Sequence, residues 1–153
     1  MDVAALYRLH GAMVLRRARR LLRDDAAAQD IVHDVFLTLH ERRDELHGGG
    51  VVSWLYVVTT NLCLKRLRAA TTRTRLQPEL ATAGHEPPRG EALTLVRHLL
   101  AHLPEELATA AIYRFVDEMT HAEIAELLGC SRRHVGNLLM RFDDEMTLQR
   151  RPA

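Results

Sequence analysis

The stretch from Thr120 to Phe142, THAEIAELLGCSRRHVGNLLMRF, reads as two short helices joined by a tight turn. Thr120 followed three residues later by Glu123 has the spacing of a capping box, which starts a helix. Ala122, Ile124, Ala125, Leu127 and Leu128 supply its apolar positions and include the i, i+3, i+4 pattern of a buried face. Gly129 stands where a left-handed residue ends a helix. Ser131 caps a second helix whose apolar side is Val135, Leu138, Leu139 and Phe142. Ala125 is small where two helices would cross, Gly129 makes the turn, and Val135 and Leu138 dock the second helix, as in a helix-turn-helix. The exposed residues of that second helix are then Ser131, Arg132, Arg133 and His134, with Asn137 one turn on and Arg141 beyond it. These side chains reach phosphates and base edges in a major groove. The plainer alternative is a helical hairpin with a solvated basic end.

The rest of the chain has to supply a body for this motif. Hydrophobic residues make up 47% and charged residues 27% of 153, so the chain can bury a core. Aromatics are only 5%, so that core is mostly Leu, Val and Ala. The net charge of +1 is uninformative, but its distribution is not. Residues 1–75 carry 13 basic and 8 acidic side chains, residues 76–130 carry 3 and 9, and residues 131–153 carry 5 and 3. Two basic ends flank an acidic middle, as expected if the ends meet phosphate. The two cysteines, Cys63 and Cys130, sit in helical patterns and form no CxxC, so they are read as small buried apolar residues. The N-terminus lacks the apolar core and cleavage site of a signal peptide, and no apolar run approaches the ~20 residues of a membrane span. A soluble, cytoplasmic protein is expected.

Residues 2–23 read as a helix in which Val3, Leu6, Leu21 and Leu22 recur near helical period. Its arginines, Arg8, Arg16, Arg17, Arg19, Arg20 and Arg23, form either a solvated face or a phosphate-facing patch, and periodicity favours the solvated face. Asp24 or Asp25 caps a second helix with the apolar stripe Ile31, Val32, Val35, Phe36, Leu39 and Leu46, running through HERRDEL to the glycines at 48–50. Its polar side, with Asp30, His33 and Asp34, is acidic and suits a protein or water better than DNA. Ser53 caps a third helix, WLYVVTTNLCLKRLRAA, with Trp54, Leu55, Val58, Leu62 and Cys63 on a buried face. Val-Val-Thr-Thr has strand propensity, but the length of the segment favours helix. This helix ends in Asn61, Lys65, Arg66 and Arg68, which would either line a phosphate backbone or simply pair with the helix's negative end.

Residues 71–91 read as a linker, since Pro78, Gly84, Pro87, Pro88 and Gly90 break any long element. Two helices follow over residues 92–119, ALTLVRHLLAHL and PEELATAAIYRFVDEM, with Pro104 in the first turn of the second. His98 and His102 have metal-compatible spacing but no third ligand, so a solvated pair is expected and neither metal nor cofactor is implied. With the pair from 120 to 142 these make a four-helix domain, followed by a tail that turns basic and frays. No P-loop, GxSxG, zinc set or triad is present, which argues against an enzyme.

Taken together, AQDIVHDVFLTLH with SWLYVVTTNLCLKRLRA resembles region 2 of bacterial RNA polymerase sigma factors of the extracytoplasmic-function group. LPEELATAAIYRFVDEMTHAEIAELLGCSRRHVGNLLMRF resembles their region 4. The resemblance implies an all-α chain of two small domains. A three-helix region 2 unit over 1–70 and a four-helix region 4 unit with the helix-turn-helix over 92–150 would be joined by a flexible linker over 71–91. It implies that Asp30, His33, Asp34 and Phe36 lie on the helix that docks on the β′ clamp helices of core polymerase. It implies that the segment from the glycine run to Arg68 faces the −10 element, with Asn61 and Arg68 at matching family positions, and Lys65 and Arg66 join them as candidates through their place in the cationic end of the helix. Ser131, Arg132, Arg133, His134, Asn137 and Arg141 would serve the −35 element, with region 4 also meeting the β flap. Promoter DNA and core polymerase are the implied partners, and an anti-sigma factor is a further one the family allows.

The chain departs from the family at several places. The family usually has Gln at the position of His33 and Asp at that of Lys65. Its recognition helix reads roughly TVKSRLSRA where this chain reads HVGNLLMRF, so Gly136 and Leu138 replace two cations and Phe142 replaces a small residue. Fewer phosphate contacts lower affinity and flatten its salt dependence, and Leu138, Met140 and Phe142 are candidates for a partner surface. Two other readings remain beside promoter recognition. One is a sigma-like regulator that keeps the fold without normal promoter reading, and the other is a helix-turn-helix repressor that dimerises through its other helices.

Overall fold

The computed structural model describes residues 1–47, 49–76 and 100–150, with the side chains of 71–76 excepted, and all regular structure among them is helical. The chain divides into two compact units, Met1–Ala69 and Ala70–Ala153.

In the first unit α1 spans Val3–Leu22. Its first turn is closed by the Asp2 carboxylate, which accepts from the Ala5 N–H at 3.1 Å. It ends on Arg23, which takes the left-handed conformation (φ 55°) and donates its N–H to the Arg19 carbonyl at 2.8 Å. Helix α2, Asp25–Glu41, follows at once. Asp24 is its cap, accepting from the Ala27 N–H at 3.1 Å, and Asp25 instead pairs with Arg19 at 2.9 Å. Val14, Ala18, Leu21 and Leu22 of α1 meet Ala28, Ile31, Val32, Val35 and Leu39 of α2 in the core. Helix α2 stops earlier than its sequence suggests. Its end at Glu41 is followed by a turn closed by Glu45 N–H to Arg42 carbonyl at 3.0 Å, and Leu46 lies outside the helix and half-buried. Arg43 donates to the His40 carbonyl at 2.8 Å, satisfying one of the acceptors that a helix end leaves over.

Helix α3, Val51–Leu76, opens two residues before Ser53, with the Trp54 N–H on the Gly50 carbonyl at 2.9 Å. Ser53 is therefore an exposed residue of the first turn and not the cap. The helix runs unbroken through Val57–Thr60 and on through residues 71–76, which sequence reasoning placed in the linker. Its buried face also differs from expectation. Leu55, Thr59, Thr60, Cys63, Leu64 and Leu67 are buried, while Trp54, Val58 and Leu62 are only half-buried. The difference has a physical basis. Thr59 and Thr60 satisfy their hydroxyls on the carbonyls of Leu55 (2.6 Å) and Tyr56 (2.9 Å), so threonine is tolerated inside and the helix turns accordingly.

In the second unit residues 100–102 are helical and Leu103 is buried. The remainder of the expected helix over 92–99, with His98, and the expected linker from 77 to 91 lie outside the described residues. Pro104 caps α4, Glu105–Ala111, from outside its first turn. The helix then widens into a π-helical turn, Ile112–Val116, and stops short of Met119. Met119 donates its N–H to the Tyr113 carbonyl at 3.0 Å, and Glu118 has a left-handed backbone (φ 54°). Helices α5, His121–Leu128, and α6, Arg132–Arg150, complete the unit. The tail continues α6 as helix through Arg150, and residues 151–153, at its expected frayed end, lie outside the described residues. Tyr113, Leu107, Ile112, Ile124 and Val135 are fully buried at the centre, and each of the four aliphatic side chains is worth about 1.5–3 kcal/mol of transfer free energy.

Candidate nucleic-acid interface

The α5–α6 pair is built as its sequence implies. The Thr120 hydroxyl accepts the Glu123 N–H at 3.2 Å, and the Glu123 carboxylate accepts the Thr120 N–H at 2.9 Å. Gly129 takes φ 68° and gives its N–H to the Ala125 carbonyl, so the chain turns without strain there. Ser131 then caps α6 by accepting the His134 N–H at 3.0 Å. Ile124, Ala125, Val135 and Leu138 are buried and fix the crossing of the two helices. Because Val135 and Leu138 point inward, the first turns of α6 point the other way. Ser131, Arg132, Arg133, His134, Asn137 and Arg141 are all exposed. Arg133, Asn137 and Arg141 recur at one-turn spacing and share an outward stripe.

Two departures from the family pattern look different in place. Leu138 is 2% exposed, so it belongs to the core and is not part of a partner surface. Met140 is 63% exposed and lies beside Asn137 and Arg141 on the outward stripe. Sequence reasoning set Met140 aside as a partner contact. Its position places an apolar group among polar ones on a face suited to a groove, where thymine methyls are read by apolar contact. Phe142 is half-buried with its ring 5.6 Å from that of Phe115, which is itself 63% exposed. These rings, with Leu100, Ile112 and Met146, line an apolar cleft of about 220 Å³.

On α3 the candidate residues separate. Asn61 and Arg68 are half-buried and Lys65 is exposed, and the three share one face. Arg66 lies off that face, toward α2, and its Nη2 donates to Asp30 Oδ2 at 3.4 Å. On α2 Asp30, His33 and Asp34 are exposed, whereas Phe36 is buried and meets Tyr7 edge-on at 5.1 Å. Phe36 therefore anchors the helix to α1 and presents little surface of its own. His33 borders an open groove of about 530 Å³ between α1 and α2, lined also by Tyr7, Arg8, Gly11 and Gln29.

The arginines of α1 do not all face solvent. Arg17 is 6% exposed. Its Nε donates to Thr60 Oγ1 at 2.9 Å and its Nη1 to the Tyr56 hydroxyl at 2.7 Å, with the guanidinium 3.8 Å from the centre of the Tyr56 ring. By helical period Arg17, three residues after Val14 and four before Leu21, falls on the buried stripe of α1, whereas Arg16 falls off it. Tyr56 and Thr60, one turn apart on α3, provide these two hydrogen-bond partners. Cys63 lies near it, and burial pushes its thiol up to about 12 despite the lowering influence of Arg17 and Arg66. No group of three or more metal-ligating side chains occurs among the described residues, and no described helix is long and apolar enough to cross a membrane.

This geometry can be set beside known proteins. The model of Sigma-70 region 2 matches residues 6–73, and that of Sigma-70, region 4 matches residues 93–141. The ECF RNA polymerase sigma factor SigM of Mycobacterium tuberculosis is 28% identical over 126 residues, covering 81% of this chain and 64% of that protein. The probable ECF RNA polymerase sigma factor SigI of the same species is 34% identical over 88 residues, or 55% of this chain and 28% of its own length. The chain thus spans less than two thirds of the length of these relatives. Among solved structures, the sigma factor RpoE of Bartonella quintana, determined in complex with the anti-sigma factor NepR, matches with a TM-score of 0.52 and 18% identity. That match covers 94% of this chain and 92% of the other, and it establishes likeness of fold. With both family regions present in order and the helix-turn-helix in place, the chain belongs to the sigma-70 family, in its extracytoplasmic-function group.

Proposed function

We propose that this chain is a sigma factor that binds core RNA polymerase and directs it to promoters through separate −10 and −35 contacts. The observation that carries the reading is the exposed start of α6, capped by Ser131, with Arg132, Arg133, His134, Asn137 and Arg141 outward, in a chain that also holds the family's region 2. In this reading residues 1–70 and 92–150 are the two working domains, α3 extends the first as helix to Leu76, and residues 77–91 are the tether. Asp30, His33 and Asp34, held in place by the buried Phe36, face the β′ clamp helices. Asn61, Lys65 and Arg68 face the −10 element, with Arg66 at their margin. Ser131 to His134, Asn137, Met140 and Arg141 enter the major groove at −35, and the apolar cleft between Phe115 and Phe142 is the seat for the β flap. Each DNA grip alone is weak, and polymerase makes the second contact intramolecular and so raises its effective concentration. The protein acts in the cytoplasm as a binding protein and not as an enzyme, and an anti-sigma factor would compete for the same surfaces.

Run-off transcription with purified core polymerase tests the reading. Specific initiation from a defined promoter is expected, and absence of any complex with core polymerase sinks it. Gly136, which removes a side chain from the outward half of α6, favours one second reading. A sigma-like regulator would bind core polymerase but initiate from no defined promoter.

A further inference from the structure

The contact between Asp30 and Arg66 joins two surfaces that the proposed function keeps apart. Asp30 stands on the exposed edge of α2, among His33 and Asp34. Arg66 stands on α3, one position after Lys65 and two before Arg68. The two side chains meet at 3.4 Å, with 65% of the carboxylate side chain and 43% of the guanidinium side chain still exposed. The pair is therefore open to exchange with other partners and is not locked into the core. The Arg66 side chain leans back across the unit toward α2 instead of extending beside Lys65.

We propose that Asp30 and Arg66 form a latch in the free protein, so that covering the α2 edge with a protein partner releases Arg66 to nucleic acid. This rests on the assignment of that edge to core polymerase. A carboxylate has limited capacity for cations. When a cationic group of the partner takes Asp30, the Arg66 guanidinium loses its neutralising neighbour and becomes available to a phosphate. Linkage makes the effect reciprocal, so a phosphate that draws Arg66 away leaves Asp30 freer to accept the partner. Because the pair is exposed, the coupling is small and falls with added salt, about two- to fivefold in affinity at low ionic strength. A modest bias of this kind suits a protein that should hold nucleic acid poorly until it is seated.

The test is a double-mutant cycle on the full chain, read by binding of a fluorescein-labelled mixed-sequence single-stranded oligodeoxynucleotide. Asp30→Asn should raise the affinity of the free protein about two- to fivefold at low salt, and the gain should vanish in an Arg66→Gln background. Asp34→Asn removes the same charge from the same edge, and its effect should be identical with and without Arg66→Gln. In complex with core polymerase Asp30→Asn should give no gain in oligonucleotide affinity, since the latch is already open. A gain from Asp30→Asn that survives Arg66→Gln, or that persists undiminished in the complex, overturns the latch, as does no gain in the free protein. A wild-type chain that forms no complex with core polymerase overturns the functional reading instead, and the free-protein cycle still decides whether Asp30 restrains Arg66.

Discussion

Arg17 shows how much a single side chain can be decided by its neighbours. A buried guanidinium is tolerated because its donors reach Thr60 and Tyr56 and its face meets the Tyr56 ring. Arg17→Ala should lower the stability of the first unit by about 2–4 kcal/mol in urea titration, since charge-assisted bonds and packing go together. Exposed Arg16→Ala should change it by less than about 0.5 kcal/mol. Cys63 gives a pH signature. Its thiol titrates near 12 when folded against 9.0 when unperturbed, so folding holds the proton. Below pH 9 both states are protonated and the contribution is complete. As pH rises from 9 toward 12 the unfolded chain loses its proton first, and stability should fall by up to about 1.4 kcal/mol per pH unit. Cys63→Ala should remove that part of the slope in denaturant titrations at alkaline pH. At this scale the sequence was legible where chemistry is local, as with the Thr120 cap and the Gly129 turn. It was illegible where a partner comes from 39 or 43 residues away, as for Arg17.

Among the elements, α5 and α6 are the most fully encoded, because caps, turn and apolar positions all lie within one short stretch and agree. Thr120→Ala should cost about 1 kcal/mol through loss of the capping hydroxyl, seen as a lower thermal midpoint of the second unit. Gly136 is a weak point in α6, and a Cβ built there meets nothing within 4 Å. Gly136→Ala should therefore stabilise the helix by about 1 kcal/mol without disturbing its neighbours, measurable by the same melting experiment. The helix ends were less legible. Helix α2 ends at Glu41 although Arg42–Leu46 have adequate propensity, because a turn there satisfies the last carbonyls. The π-helical turn at Ile112–Val116 left no mark in the sequence pattern, and it carries the buried Ile112 and Tyr113. On α3 the expected face of Trp54, Leu55, Val58, Leu62 and Cys63 keeps Leu55 and Cys63 inside, while Thr59 and Thr60, with hydroxyls bonded to the Leu55 and Tyr56 carbonyls, are interior and Trp54, Val58 and Leu62 are half-buried.

For the molecule as a whole, the all-helical class and the order of the two family regions were readable, because apolar periodicity and the flanking glycines and prolines mark helices independently of packing. The candidate site was readable as a set of residue types and less so as a set of surfaces. Phe36 and Leu138 proved to be interior, and Met140 proved to share the outward stripe. One prediction belongs at this scale. Arg133→Ala should weaken promoter binding by the polymerase complex and reduce the slope of log affinity against log salt by about 0.9, the amount for one phosphate contact. An unchanged slope would remove Arg133 from the phosphate-contacting set.

Helix α6 is unbroken from Arg132 to Arg150, which at about 1.5 Å per residue makes a rod of about 28 Å. Its first turns hold the outward cations, and its middle passes Phe142 and the acidic run Asp143, Asp144 and Glu145. A rod of this kind cannot tilt at one end only. Whatever grips the acidic middle or the Met146 side swings the cationic tip as a lever does, so docking at one end fixes the angle at which the other approaches its target.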